Sequence, residues 1–88
     1  MNTKLDIYFS IQYDTKDQAQ IIFASLLPEI QEQRFERSKA TVKLNGQRIV
    51  INVTAQDINA AKATISSILR WISTTTKAVM TLSKQTFN

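Results

Sequence analysis

The sequence predicts an α+β fold with the element order β-α-β-β-α, in a single domain that covers residues 1–88. Alternation of apolar and polar residues indicates the strands, and apolar residues at spacings of three and four indicate the helices. One helix between the first two strands makes those strands parallel, so an antiparallel sheet requires the third strand between them. We therefore expect a three-stranded antiparallel sheet in the order 1-3-2, with both helices on one face.

The first strand is predicted over residues 5–13, where every second side chain is apolar and one face is therefore buried. It lies at a sheet edge, with no proline and with a single charge, Asp6, on its exposed face. The other edge strand carries Lys39 and Lys43, and lysine discourages edge-to-edge pairing. We therefore expect a dimer that pairs through the first strand. The residues expected at this dimer edge are Ile7, Tyr8, Phe9, Ser10 and Ile11.

The first helix is predicted to begin with a capping box formed by Thr15 and Gln18. Its buried face consists of Ala19, Ile22, Phe23 and Leu26. Proline lacks the N–H that a helix interior needs, so Pro28 predicts that this helix stops near Leu27. Residues 29–37 are mostly polar and are expected to form a connecting loop with room for a helical turn. The anchors of that loop are expected to be Ile30 and Phe35.

Asn45 and Gly46 predict a tight hairpin, because a type I′ turn needs positive φ at both central residues. The flanking strands are then residues 38–44 and 47–54. The pairs expected from this turn are Leu44 with Gln47, Val42 with Ile49, Ala40 with Ile51 and Ser38 with Val53. Every apolar residue of those pairs falls on one face of the sheet. The opposite face collects Lys39, Thr41, Lys43, Arg48, Val50 and Asn52.

The last helix is predicted to begin at Asp57 and carries two stripes at helical spacing. The stripe expected to pack on the sheet is Ile58, Ala61, Ile65, Ile68, Leu69 and Ile72. A second stripe, rotated by about a quarter turn, consists of Ala60, Thr64, Ser67, Trp71, Thr75 and Ala78. A helix on a sheet hides one arc only, so the second stripe is expected to meet a partner helix. The predicted partner-binding residues are Ile21, Ala60, Thr64, Ser67, Trp71 and Thr75. A simpler interpretation is that Trp71 covers the end of the core.

Composition argues against chemistry by this chain alone. The sequence has no cysteine, no histidine and one glycine, which excludes thiolate nucleophiles, the usual proton shuttle and glycine-rich phosphate loops. No carboxylate pair is brought together on a predicted helix. We therefore predict no catalytic residue, no cofactor and no metal site. The alternating N-terminus does not resemble a signal peptide, and no run approaches the roughly 18 apolar residues of a membrane span. We expect a cytoplasmic protein without membrane contact.

The net charge of +4 is a mild basic bias. Lys39, Lys43 and Arg48 share the exposed sheet face and are the candidate RNA-binding residues, since they can neutralise phosphates while Tyr8 stacks a base. A solvated polar face also explains the same three cations, and it is the interpretation that we favour for this face. Two further functions follow from these alternatives: a free-standing RNA-binding module, and a small ligand-binding or enzymatic domain, which the missing residue types disfavour.

The order of these motifs resembles the Pcc family, the small dimerisation subunits of the KEOPS complex. The stretches that carry the resemblance are residues 19–29 with their Leu-Pro-Glu exit, the hairpin, residues 55–57, and residues 66–72. The resemblance implies a non-catalytic subunit that pairs through its sheet, as a homodimer or with a paralogue. It also implies that the helices bind the Kae-type transferase subunit, which modifies a tRNA adenosine beside the anticodon with threonylcarbamoyl, and that the subunit supports weak tRNA engagement. The family usually shows Leu-Arg where this chain has Ala61-Lys62.

Overall fold

A computed structural model describes residues 4–85 of the chain. Its elements are β1 (Leu5–Gln12), α1 (Lys16–Glu32), β2 (Ser38–Asn45), β3 (Arg48–Ala55) and α2 (Ile58–Gln85). The strands form one sheet in the order β1-β3-β2, and β3 is antiparallel to both of its neighbours. The predicted fold class and strand order are thus confirmed. The first three and last three residues of the expected domain lie outside the described residues.

Both predicted N-cap residues accept a first-turn hydrogen bond, but the second half of the predicted capping box is absent. Nε2 of Gln18 donates to Sδ of Met80 at 3.6 Å, and Oε1 of Gln18 has no hydrogen-bond partner among residues 4–85. The Thr15 hydroxyl accepts a hydrogen bond from the backbone N–H of Gln18 at 3.1 Å. At the start of α2, Oδ1 of Asp57 accepts from the backbone N–H of Ala60 at 2.8 Å. The other carboxylate oxygen of Asp57 lies 3.4 Å from Nε of Arg37, which ties the loop before β2 to the beginning of α2. These contacts satisfy first-turn amides that no helical carbonyl can reach.

α1 continues through Pro28 to Glu32, so the prediction that it stops near Leu27 is wrong. The proline removes one hydrogen bond, the one that the carbonyl of Ala24 would accept. Ala24 and Pro28 are both exposed, so that carbonyl lies on the solvent side of the helix. Ile30 is buried and attaches the last turn to the core. Packing of the last turn therefore compensates for the missing bond, and the connecting loop shrinks to residues 33–37.

The hairpin turn lies one position later than predicted. Asn45 pairs with Arg48, so the turn residues are Gly46 and Gln47, and Val42 lies opposite Ile51. Gly46 has φ of 63°, and among residues 4–85 no other residue type adopts positive φ. Glycine at the first central position with a negative φ at the second is the type II′ pattern. The pairs shift by two residues, which leaves every side chain on its predicted face.

The core lies between the sheet and the two helices. Its fully buried large side chains come from α1, β3 and α2: Ile22, Leu26, Ile49, Ile51, Val53, Thr64 and Ile68. Tyr13, just after β1, is buried and its hydroxyl lies 3.0 Å from Oγ1 of Thr76 on α2. Both helices therefore pack on the same sheet face, as expected.

α2 is rotated relative to the predicted orientation. Ala60 and Thr64, expected on the surface, are buried, and Thr64 is only 1% exposed. Ile58 and Leu69, expected on the sheet, are 65% and 47% exposed. The prediction was therefore wrong for these four positions, and the exposed apolar stripe of α2 is a different one.

The rotation has a physical reason in side-chain size. Ala60 and Ala61 pack against Ala55 at the end of β3, so the first turns of α2 approach the strand closely. Larger side chains at those positions would hold the helix away. Thr64 follows on the same side, and its hydroxyl forms a hydrogen bond with the hydroxyl of Ser38. A satisfied hydroxyl can be buried at little cost, so a polar residue takes a core position.

Candidate interaction surfaces

β1 has an open edge, since within residues 4–85 it pairs with β3 on one side only. The backbone N–H of Tyr13 donates to the carbonyl of Gln47 at 2.9 Å, so odd-numbered residues direct their backbone groups toward β3. That direction alternates along a strand. The residues whose N–H and C=O point outward are consequently Asp6, Tyr8, Ser10 and Gln12. Two of the residues predicted at the dimer edge, Tyr8 and Ser10, thus carry outward-facing backbone groups.

The apolar side of β1 is incompletely covered. Ile7, Phe9 and Ile11 are half-buried, whereas Ile49 and Ile51 of the neighbouring strand are fully buried. α1 contacts mainly β2, and α2 contacts mainly β3, so neither helix lies over the edge strand. The open edge of the sheet therefore adjoins an apolar surface that neither helix covers.

Apolar side chains of α2 border this apolar surface of β1. Ile58, Ile65 and Leu69 recur at spacings of seven and four, which places them on one side of the helix. Thr76, seven residues after Leu69, contacts Tyr13 beside the end of β1, so this side faces the edge strand. We name the combined surface the β1 groove. It consists of Ile7, Phe9, Ile11, Ile58, Ile65 and Leu69.

The predicted partner-binding residues divide into two groups. Ala60 and Thr64 lie inside the chain, so they offer no surface to a partner. Ser67, Trp71 and Thr75 are half-buried and share one side of α2, away from the β1 groove. We name these three residues the helix surface. The accessible group also includes Ile21, which is 54% exposed on α1 in a depression lined by other α1 residues: Asp17, Gln20 and Ala24.

Trp71 is part of the chain's own packing. Its ring centroid lies 6.3 Å from that of Phe35, at an interplanar angle of 38°. Trp71 packs against the core, and Phe35, which meets its ring, belongs to the loop that follows α1. The simpler interpretation of Trp71, that it covers the end of the core, is therefore correct. Contact with a partner stays a prediction for the part of the ring that remains exposed.

The sheet face opposite the helices is polar, and the strand register orders it in rows. Each row consists of residues that are paired across β1, β3 and β2. One row is Tyr8, Asn52 and Thr41; Lys39 is the β2 member of the row before it, and Lys43 is the β2 member of the row after it. Arg48 follows one row beyond Lys43. We name these six residues the polar sheet face. The structure thus brings the three predicted RNA-binding cations together on one open surface, and RNA binding by them stays a prediction.

The carboxylate on this side of the sheet is already engaged. Oδ1 of Asp6 accepts a hydrogen bond of 2.7 Å from the Thr54 hydroxyl, in the row of Lys39. The hydroxyl is neutral and leaves this carboxylate charged, so positive charge predominates on this side only because Lys39, Lys43 and Arg48 outnumber Asp6.

Two further basic residues lie at the end of the sheet next to Lys39, and the sequence reasoning missed them; one of them, Arg37, is already paired with Asp57. Lys4 and Arg37 line an open cleft of about 390 Å³ together with Lys39. The cleft also contains Glu36, and it forms where the start of β1, the loop before β2 and the end of β3 meet. These segments are far apart in sequence, so only the strand order brings them together.

In the part of the chain from Lys4 to Gln85, no three His, Cys, Asp or Glu side chains gather as a metal site would require. Over the same residues, neither helix has the length and apolar character together that crossing a membrane requires.

Comparison with known proteins agrees with this architecture. Residues 7–79 match the protein family described as "Transcription factor Pcc1". The KEOPS complex subunit Pcc1 of Pyrococcus abyssi is 34% identical over 62 residues, which cover 70% of this chain and 76% of that protein. A chain in the crystal structure of a binary Gon7–Pcc1 complex has the same fold, with a TM-score of 0.78 at 19% identity, over 89% of this chain and 95% of that one. The matched segment runs from β1 into the second half of α2, and the chain belongs to the Pcc1 family.

Proposed function

We propose that this chain is a non-catalytic scaffold subunit of a KEOPS complex. In this role it dimerises through β1 and binds the transferase subunit that attaches threonylcarbamoyl to a tRNA adenosine. The observation that carries the proposal is the coincidence of the open β1 edge with the β1 groove. Kinship with a KEOPS subunit and with a chain crystallised in a binary complex supports an assembly role.

The proposed dimer follows from the outward backbone N–H and C=O groups of β1, which have no strand partner within residues 4–85. A second β1 in antiparallel orientation would accept the outward backbone groups and continue the sheet. The two-fold axis of such a pair is perpendicular to the sheet, so the helices of both protomers lie on the same side. Each α2 then lies beside the other protomer's β1, and the two β1 grooves cover one another. The partner is a second copy or a paralogous chain that presents the same kind of edge.

Ser10→Pro tests this arrangement, because it removes an outward N–H and leaves the bonds to β3 in place. We expect wild-type protein to sediment as a dimer and Ser10→Pro as a monomer with an unchanged circular dichroism spectrum. Ala40→Pro is the matched control, since residue 40 directs its N–H away from β3 at the opposite edge. That control should remain dimeric.

Two results would contradict dimerisation through β1. A wild-type chain that stays monomeric at tens of micromolar, about the range where weak interfaces assemble, both alone and with a paralogue, contradicts it. If Ser10→Pro dimerises as strongly as wild type, β1 is not the strand through which the two protomers pair.

The transferase contact is proposed for the helix surface. That surface lies on the other side of α2 from the β1 groove, so both partners can bind at once. Ala61, the first residue of the divergent pair, is buried, whereas Lys62 is exposed. The divergence therefore changes one surface side chain and one that packs on the sheet.

Trp71→Ala combined with Ser67→Arg should weaken association with the transferase subunit by about 30-fold, which corresponds to a 2 kcal/mol hot spot. Because Trp71 also supports the core, Ser67→Arg alone serves as the variant with intact packing, and Ser66→Arg on the exposed side is its control. Titration calorimetry gives the affinities. Undiminished binding by Ser67→Arg and by the double variant places the contact elsewhere.

The polar sheet face is proposed to support tRNA engagement within the complex. Reversing Lys39, Lys43 and Arg48 to Glu should weaken tRNA binding by the assembled complex and flatten its salt dependence. Reversing Lys16, Lys62 and Lys77, which are exposed on the helices, changes the net charge equally and is the control. Equal tRNA affinity for both triple variants rejects this face. Equal affinity of the isolated chain and the complex favours the free-standing RNA-binding module instead.

A further inference from the structure

We propose that the polar sheet face binds single-stranded RNA and stacks an unpaired base on Tyr8. The inference rests on the dimer and the RNA role proposed above, and it adds a specific site and a preference for unpaired strands. Three observations carry it: the exposure of one aromatic ring, the placement of cations around it, and the geometry of the open edge.

Tyr8 is 69% exposed, and its aromatic ring stands on the side of the sheet that no helix covers. Side chains on a strand stand roughly perpendicular to the sheet, and those next to Tyr8 in its row, Asn52 and Thr41, are shorter. The ring therefore projects beyond them. Such a ring offers a stacking surface to any base, since every base has a π-face.

The cations flank this ring symmetrically along the strand direction. Lys39 and Lys43 end the rows before and after that of Tyr8, two strands away. With ordinary strand dimensions this is about 10 Å across the sheet and about 7 Å along it. Lysine side chains bridge much of that distance, so a phosphate beside a base stacked on Tyr8 can meet a positive charge. Asp6 lies at the β1 end of the Lys39 row, so the Lys43 side is the more positive of the two. This pattern matches a polyanion whose flat bases are exposed. Single-stranded RNA has such bases, whereas a duplex does not.

Asn52, the cross-strand neighbour of Tyr8, adds a polar group to the site. Its Oδ1 is covered and has no hydrogen-bond donor among residues 4–85. Buried acceptors are usually paired, so an unused one next to an exposed ring is consistent with a ligand site.

The open edge then doubles the site in a homodimer. Apolar residues of β1 are odd-numbered, so a pairing that keeps them on one face must place odd against odd and even against even. The two symmetric registers with the longest overlap place Tyr8 opposite Tyr8, or opposite Ser10 of the second copy. In the first register the rings are direct neighbours, and in the second they are diagonal neighbours about 7–8 Å apart. Both registers create an aromatic pair at the centre of a continuous sheet, with cations on both sides.

The test uses the full chain and a fluorescein-labelled oligouridine of about twelve nucleotides, within the usual site size for a single strand. Tyr8→Thr removes the ring and keeps a β-branched side chain, which preserves strand propensity. We expect at least about fivefold weaker binding by fluorescence anisotropy, as for the loss of one base–aromatic stack. Tyr8→Phe should bind like wild type. Ile21→Ala removes an exposed apolar group from the helix layer and should have no effect.

Sedimentation and circular dichroism of each variant separate this proposal from the dimer. A Tyr8→Thr variant that remains dimeric and binds within twofold of wild type overturns the stacking site and leaves the scaffold role intact. The stacking site is also overturned if duplex RNA binds as tightly as the single-stranded oligouridine. The same holds if polyglutamate displaces the labelled oligouridine as well as unlabelled oligouridine does, because that result would indicate a general anion-binding surface. Weakening by Tyr8→Thr, with recovery in Tyr8→Phe, supports the stacking site.

Discussion

At the scale of single residues, Thr64 shows how a polar side chain becomes part of a small core. It lies on the side of α2 that meets the sheet, and its hydroxyl forms a hydrogen bond with Ser38 at the start of β2. The bond connects α2 to an edge strand that it otherwise contacts little. Thr64 therefore acts on stability and orientation within the chain.

Thr64→Val should lower the free energy of unfolding by about 1 kcal/mol, because it removes this bond and leaves the Ser38 hydroxyl without its partner. Urea denaturation at constant protomer concentration measures the change. Thr74→Val, on the exposed side of the same helix, is the control and should stay within about 0.5 kcal/mol of wild type. Equal stability of the two variants would show that the bond contributes nothing.

At the scale of elements, α1 illustrates packing that outweighs a local helix breaker. Pro28 lies inside the helix, yet the following turn stays helical because Ile30 is buried against the core. The helix therefore retains a site where one backbone carbonyl lacks its usual donor.

Pro28→Ala should raise the free energy of unfolding by about 1 kcal/mol or more, since proline costs up to about 3 kcal/mol relative to alanine in a helix interior. The gain is reduced because alanine increases the freedom of the unfolded chain. Urea denaturation gives the value, with Glu29→Ala as a neighbouring exposed control. A loss of stability would show that the proline fits α1 better than regular helical geometry implies.

α2 also presents a stripe whose role can be separated from folding. Leu69→Asp places a charge in the β1 groove at a position that is 47% exposed in the single chain. We expect at least tenfold weaker dimerisation, because an unpaired carboxylate would be buried at the seam. In the Ser10→Pro background, the same change should lower the free energy of unfolding by only about 1 kcal/mol, since the leucine is half-buried in the single chain. Ser66→Asp, outside the groove, should leave the sedimentation of the wild-type dimer unchanged.

At the scale of the whole molecule, we expect an 88-residue chain with an uncovered apolar groove to gain stability from the proposed dimer. A dimer that forms only from folded protomers makes the melting temperature rise with protein concentration. We expect this dependence for wild type and its absence for Ser10→Pro, measured by calorimetry over a tenfold or wider concentration range. A melting temperature that does not vary for wild type would indicate that the groove stays open in solution.

Local patterns determined the elements and their order. Alternation in β1, the capping residues Thr15 and Asp57, and a glycine in the hairpin are each decided by neighbours in sequence, so they could be predicted without a fold. The strand order followed from connection rules, and the family from the order of motifs. The Lys39, Lys43 and Arg48 cluster was also predictable, since strand parity alone assigns those residues to one face.

Tertiary packing decided the features that depend on distant parts of the chain. The rotation of α2 was set by Ala55 and Ser38, which admit Ala60 and Thr64 and turn Leu69 outward. Continuation of α1 past Pro28 depended on a buried site for Ile30. The β1 groove exists because the helices lie over β2 and β3. A helical period identifies apolar stripes, but which stripe is buried depends on the shape of the opposing surface, and that shape arises only when the sheet is assembled.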